Sequence, residues 1–257
     1  MIETENLLSI SIMDSVHYHD NYEIYVLVSG KQRYIIENEI YEMQKGDVAV
    51  IPEGVMHMTT KGLGGNRILI SFDKSFLSTY LTGYAQEALL GFFDKRVLRP
   101  SGRDSEKIVD LATKIDMRVG EGDELGAFRD LVKLFFILDG CDAAEKSNGT
   151  KDGTLIRAID YLSENFATIT SLDDVAKATY VSKCYLCRTF GKELGVTYGK
   201  FLTKVRLKNA RTMLVETRKS VLDVALDCGF SNSAYFIQLF KAHFGDTPAV
   251  YRKKHSS

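Results

Sequence analysis

The last hundred residues of the chain repeat themselves, and such a repeat obliges the segment to fold as two copies of one local unit. Ser171-Leu-Asp-Asp174 and Ser220-Val-Leu-Asp223 each place a hydroxyl and a carboxylate three residues apart, the spacing of a capping box at a helix start. Val175-Ala176 is matched by Val224-Ala225, and the turn Tyr180-Val-Ser182 by Gly229-Phe-Ser231, at an offset of 49 residues. After one inserted residue the match resumes at an offset of 50: Leu186 with Phe236, Phe190 with Phe240, Leu194 with Phe244, Gly195 with Gly245, Thr197 with Thr247 and Phe201 with Tyr251. Each copy reads as a short helix, a tight turn and a longer helix that starts at a serine cap (Ser182, Ser231) and stops at a glycine, the helix-turn-helix plan. Gly229 takes positive φ without strain, whereas Tyr180 in the equivalent place would cost about 1 kcal/mol, so the first turn is open to another geometry.

Between the copies, Thr197 to Thr217 is amphipathic, with Phe201, Val205, Leu207, Ala210 and Leu214 inside and Lys200, Lys204, Lys208, Arg211 and Arg218 outside. A helix of about 20 residues spans roughly 30 Å, close to the ~34 Å between successive major-groove faces of B-DNA. One stiff rod of this length suits two reading helices set in neighbouring turns of a groove.

The front of the chain has a different period. β-rich runs at Leu7 to Met13, Tyr22 to Val28, Gln32 to Glu37, Asp47 to Ile51 and Arg67 to Phe72 are punctuated by turn residues such as Lys45-Gly46, Pro52-Glu-Gly54 and Gly62 to Gly65, which predicts an all-β barrel or sandwich. From about Lys74 the period becomes helical: Leu77, Leu81, Tyr84, Ala88 and Leu89, then Ile108, Leu111, Ala112, Ile115 and Val119, then Phe128, Leu131, Val132, Phe135 and Leu138. These helices are expected to pack on the barrel and to leave one face for a second subunit. Gly140 to Gly153 is small, polar and charged and reads as a linker.

A hydrophobic content of 45% with 26% charged residues is that of a soluble globular protein. The acidic start lacks a secretory n-region, and the densest apolar run, Leu131 to Leu138, is too short to span a bilayer, so a cytoplasmic address is expected. Four cysteines (Cys141, Cys184, Cys187, Cys228) give no disulfide framework, and Cys184-x-x-Cys187 has no second CxxC or histidine pair to complete a zinc site. The net charge of -1 conceals an asymmetry: from Lys151 onward 17 Lys+Arg face 10 Asp+Glu, whereas residues 1–150 hold 16 against 24. A basic rear half invites a polyanion, and an acidic front half stays off it.

Ser182-Lys-Cys-Tyr-Leu-Cys-Arg-Thr-Phe190, Gly229-Phe-Ser-Asn-Ser-Ala-Tyr-Phe-Ile-Gln-Leu-Phe-Lys241 and Gly245-Asp-Thr-Pro-Ala-Val-Tyr-Arg252 together resemble the AraC/XylS family of bacterial transcription regulators over about 100 residues. The resemblance implies that Cys184, Cys187 and Arg188 on the first recognition helix, and Ser233, Ala234 and Gln238 on the second, sit where base edges are read, with Lys183, Lys204 and Asn232 as further DNA contacts. An arginine fork suits guanine O6/N7 and a glutamine suits adenine, each good contact giving roughly 1–3 kcal/mol of discrimination. Helical spacing assigns Phe190, Tyr235, Phe236 and Phe240 to the core.

His17-Tyr-His19-Asp-Asn-Tyr-Glu23, then Gly46-Asp-Val-Ala-Val-Ile-Pro52-Glu-Gly54-Val-Met-His57, resembles the two motifs of the cupin superfamily. In metal-binding cupins the positions of His17, His19, Glu23 and His57 are the ligands, a set suited to divalent transition ions. Three readings stay open: an effector pocket using His17, His19, Glu23, Tyr25 and His57, a metal site, or structural histidines.

The expectation is an α+β chain of two domains. Residues 1–140 form a cupin-like β-barrel (about 7–72) with packed helices (about 74–140) for effector binding and dimerisation, 141–153 a linker, and 154–257 an all-α tandem helix-turn-helix. The expected role is a non-enzymatic regulator that binds double-stranded DNA and a small-molecule effector such as a sugar, acts as a homodimer with RNA polymerase, and needs no membrane and no obligatory cofactor. The rival is a metal-dependent cupin enzyme, a dioxygenase or isomerase, with a helical tail.

Overall fold

Along β2 (Tyr22–Leu27) every second residue points the same way, yet five of its six residues are buried, because both faces of the strand are covered. The computed structural model describes residues 1–7, 17–37, 39–59, 65–146 and 153–255. Among them, β1 (Ile2–Leu7), β7 (Arg67–Phe72), β2, β5 (Val48–Ile51), β8 (Val97–Arg99) and β9 (Asp142–Ala143) form one antiparallel sheet in that order. A second sheet has the order β4 (Glu39–Gln44), β3 (Lys31–Ile36), β6 (His57–Thr59). Tyr25, Leu27, Ala49, Ile51 and Val97 of the large sheet share a core with Tyr34, Ile36, Tyr41 and Met43 of the small one. The opposite face of the large sheet, including Ile24, Val26, Val50, Ile70 and Phe72, packs against α3 (Gly102–Glu121) and α4 (Glu124–Asp139) through Ile108, Ile115, Leu131, Leu134 and Phe135.

Gly46, at φ 91°, turns β4 into β5 and delivers the buried Asp47. Its carboxylate accepts from Gln44 N at 2.9 Å and from the Arg99 Nε and Nη2 atoms at 3.0 and 2.7 Å, so a two-pronged charged bond ties β8 to this turn.

Several expectations change here. The first strand ends at Leu7 instead of beginning there, and the rest of the expected run to Met13 lies outside the described residues. Strands β4, β6, β8 and β9 were not foreseen; β4 pairs across a hairpin with the neighbouring β3, whereas β6, β8 and β9 are fixed by partners distant in the chain and not by their own period. Tyr84 and Ala88 are exposed, since Thr82 accepts from Ala85 N and starts a new helix, α2 (Gly83–Leu90), out of phase with α1 (Lys74–Tyr80). The expected linker begins too early: Cys141 and Ala144 are buried and Asp142–Ala143 pairs with β8, so the chain divides into units Met1–Asn148 and Gly149–Ser257. Residues 147–152 of that linker lie outside the described residues.

The second unit is all helical: α5 (Gly153–Asn165), α6 (Leu172–Thr179), α7 (Lys183–Thr189), α8 (Tyr198–Glu216), α9 (Val221–Asp227), α10 (Ser233–Phe244) and α11 (Pro248–His255). In the capping box of α6, Asp174 Oδ2 accepts from Ser171 N at 2.9 Å, and at the start of α9 Ser220 Oγ accepts from Asp223 N at 3.0 Å. Tyr180 does adopt the left-handed region, φ 56° and ψ 39°, so both turns share one geometry. The rod α8 runs between Thr197 and Thr217, and Phe201, Val205, Leu207, Ala210 and Leu214 are its buried side. Leu207, Ala210 and Leu214 join Val224, Ala225, Phe236, Phe240 and Tyr251 in the core of the second repeat.

Candidate functional site

Antiparallel pairing puts Glu23 and Tyr25 of β2, Tyr34 of β3 and His57 of β6 in the space between the two sheets. His17 is held beside His57 by a two-way backbone bridge, N to O at 3.1 and 2.9 Å. His19 is fixed at the mouth by Gly54 N, which donates to its carbonyl at 2.8 Å. One ligand atom from each of His17, His19, Glu23 and His57 lies within 4.8 Å of all the others.

The backbone decides which ring nitrogens face inward. His57 Nδ1 lies 2.8 Å from Val55 O and His19 Nδ1 2.8 Å from Asn21 O. A carbonyl only accepts, so each Nδ1 carries the proton, and Nε2 of the neutral ring presents a bare lone pair. Those two Nε2 atoms stand 3.0 Å (His19) and 3.8 Å (His57) from Glu23 Oε2. His57 Nε2 is fully buried without a hydrogen-bond partner among the described residues. Two lone pairs aimed at a carboxylate repel unless a proton or a cation lies between them. Burial pushes the Glu23 carboxyl up, but when a proton sits on the ring nitrogens that face it the hydrogen bonds and charge of His19 and His57 outweigh burial and hold the group well below the usual carboxylate range. Burial presses the His19 ring toward neutrality, and Glu23 with the Asn21 carbonyl more than offsets that, leaving it raised. Imidazole and carboxylate donors whose far nitrogens are pinned by carbonyls match a divalent transition ion and its outer hydrogen-bonding shell.

In the helical unit, Ser182 Oγ accepts from Tyr185 N at 3.1 Å and starts α7, which buries Leu186 and exposes Lys183, Cys184, Cys187 and Arg188. Lys183 Nζ is 2.7 Å from Asp173. The second reading helix departs from expectation in its cap. Asn232, not Ser231, caps α10, its Oδ1 accepting from Tyr235 N at 3.0 Å. The residue inserted between the repeats therefore falls in the turn, and Asn232 stands where Ser182 stands in the first copy. Phe236 and Phe240 are buried, while Ala234 and Gln238 are exposed and Ser233 half-buried. Tyr235, expected in the core, is 55% exposed, because the third residue of a helix whose core line runs through Phe236 and Phe240 points away from it. Lys204 is half-buried on α8, where burial and then Lys200 lower its ammonium.

Residues 175–254 match the family described as a helix-turn-helix domain, and residues 13–81 the one described as an AraC-like ligand binding domain. The Msm operon regulatory protein of Streptococcus mutans is 24% identical over 243 residues, spanning 91% of this chain and 85% of that protein. The melibiose operon regulatory protein of Escherichia coli K12 is 24% identical over 268 residues, spanning 94% and 84%. A solved transcriptional regulator with an AraC-type DNA-binding domain, from Chromobacterium violaceum, is 32% identical and spans 43% of this chain and 98% of its own, at a TM-score of 0.40. The two family matches fall one in each unit, and the alignments with the two operon regulatory proteins run through both. The chain belongs to the AraC family of transcription regulators.

As an AraC-family protein it carries its DNA-binding part in the helical unit and its ligand-binding part in the sheet-rich one. Sequence reasoning missed three polar residues of the interior between the two sheets. Tyr34 OH donates to Glu23 Oε1 at 3.1 Å, the Arg67 guanidinium lies 5.4 Å from the centre of the Tyr25 ring, and Gln32 is buried two residues before Tyr34. A polar residue on the inward parity of a strand was the available signal, but parity needs the register, which the structure supplies. Among the described residues no helix is long and apolar enough to cross a membrane.

Proposed function

We propose that this regulator reads double-stranded DNA with Lys183, Cys184, Cys187 and Arg188 of α7 and with Asn232, Ser233, Ala234 and Gln238 of α10, assisted by Lys204. The observation that carries the reading is that Arg188 and Gln238 are exposed at matched repeat positions while the apolar residues beside them, Leu186 and Phe236, are buried. The effector is a small polyhydroxylated molecule such as a sugar, held between the sheets by His17, His19, Glu23, Tyr25 and His57. The melibiose operon relative and the buried polar and aromatic lining (Gln32, Tyr34, Thr59, Arg67) support that class.

A divalent transition ion would be held by His17, His19, Glu23 and His57, where it supplies a Lewis-acidic centre for effector oxygens. Tyr34 holds the Glu23 carboxylate from behind, and the Val55 and Asn21 carbonyls set the rings. The site serves recognition and not turnover. The protein acts in the cytoplasm as a homodimer that works with RNA polymerase, and exposed Leu125 and Phe136 on α4 with Met117 on α3 offer an apolar face for the second subunit. An effector shifts DNA affinity only by its differential affinity for two states of the protein.

Selection of bound sequences from random DNA by the full chain, with and without mono- and disaccharides, tests this reading. The expected outcome is two half-sites about 10 bp apart, salt-sensitive binding and a response to one sugar. Enrichment of no sequence contradicts it.

A further inference from the structure

Cys184-x-x-Cys187 is the motif whose chemistry no role above uses. Both thiols are exposed, whereas Cys141 and Cys228 are buried, and all four cysteines are free. Burial pushes the Cys141 thiol up and the Cys228 thiol up to about 11, so these two are inert as well as inaccessible. On α7 a three-residue separation puts both sulfurs on one face, with Cβ atoms about 5–6 Å apart. A disulfide needs Cβ atoms about 3.5–4.5 Å apart, closer than a straight helical turn provides. A single soft atom bonded to both sulfurs bridges the wider gap.

We infer that Cys184 and Cys187 form a dithiol clamp for a soft, thiophilic centre with two open positions, of which trivalent arsenic is the type, and that capture takes α7 off DNA. The regulatory half rests on the reading of α7 as a DNA-contacting helix. With an organoarsenous oxide, R–As=O, two As–S bonds form, both thiol protons leave with the oxo oxygen as water, and arsenic stays trivalent. The bulky product stands between Lys183 and Arg188 on an exposed face.

The test treats the full chain with stoichiometric phenylarsine oxide, then reads intact mass and affinity for a selected duplex by fluorescence anisotropy. The expected result is one phenylarsenic adduct per chain and DNA binding weakened roughly tenfold or more, the scale of losing a base contact. A dithiol such as 2,3-dimercaptopropanol reverses both effects, and a monothiol at equal thiol concentration does not. Cys184→Ser and Cys187→Ser each abolish the adduct and the treated-to-untreated difference, and Cys141→Ser keeps both. Absence of the adduct overturns the clamp, and an adduct that leaves affinity unchanged overturns the regulation. If the untreated chain binds no duplex, the DNA reading of α7 fails and takes the regulatory half with it, while the mass gain still judges the clamp.

Discussion

His57 Nε2 and Glu23 Oε2 face each other across 3.8 Å inside the ligand-binding unit, and no hydrogen bond closes the gap. The His57 Nδ1 proton is committed to Val55 O, so the neutral ring has nothing to donate inward. An unsatisfied buried acceptor costs about 1–3 kcal/mol. A cation shared with His17 and His19 would relieve that cost.

Metal uptake is therefore the first prediction. Protein purified without chelator, or titrated with Mn, Fe, Ni, Zn or Cu salts, is expected to hold one divalent ion per chain by elemental analysis. Glu23→Gln removes the anionic donor while keeping its shape. Changes to residues behind a ligand weaken affinity about 10–100-fold, and loss of the ligand itself should exceed that. Wild-type protein that takes up no stoichiometric ion would remove the metal and leave the polar effector pocket.

Acid should release that ion. Ligating imidazoles must be unprotonated, and the His19 pKa is raised from 6.5 by Glu23 and Asn21 against the opposing effect of burial. The proton thus competes with the metal from somewhat above pH 6.5 downward, and affinity is flat well above that point. The slope below it is about tenfold per pH unit for each proton displaced. Calorimetric titration in buffers of different ionisation enthalpy counts those protons; affinity that rises on acidification contradicts the assignment.

The two reading helices differ in what their substitutions should do. Arg188 is exposed at the end of α7, and its contact with its own Cys184 carbonyl is long at 3.5 Å, so the guanidinium is available for a base edge. Arg188→Ala is expected to lose roughly 1–3 kcal/mol at one base position and to relax preference there. Lys204→Ala should weaken all sequences alike and lower the salt slope by about one. Binding measured across a randomised site library separates the two; equal losses at every position for Arg188→Ala would remove its reading role.

Legibility in the sequence followed the range of the forces involved. The helical repeat was readable because capping, period and turn act within a few residues, and even the displaced cap at Asn232 was signalled by the change of offset from 49 to 50. Strand β6 has three residues and β9 has two, and neither carries a period long enough to read. The histidine cluster was visible through its resemblance to cupin motifs, whereas Tyr34 and Arg67 join it only through the pairing of Tyr34 with Thr59 and of Leu27 with Arg67. Tyr235 was misplaced because a helical period does not say where the core line begins.

Two glycines with nearly the same backbone angle should respond very differently to one methyl group. Gly229 (φ 79°) and Gly245 (φ 82°) both sit in the left-handed region, where an alanine costs about 1–2 kcal/mol. Around Gly245 a Cβ meets nothing within 4 Å, so Gly245→Ala is expected to cost no more than that. At Gly229 it would stand 2.5 Å from the Ala167 carbonyl and 2.9 Å from Arg206 Nη2. Arg206 cannot swing aside freely, since it donates to Phe166 O at 2.8 Å and to Ile169 O at 2.7 Å, joining α8 to the loop between α5 and α6. Overpacking adds about 1–3 kcal/mol to the backbone cost of about 1–2 kcal/mol, so Gly229→Ala should shift the urea midpoint of the helical signal roughly one and a half to four times as far as Gly245→Ala. Equal shifts would mean that the second turn is not pressed against this loop as the structure has it.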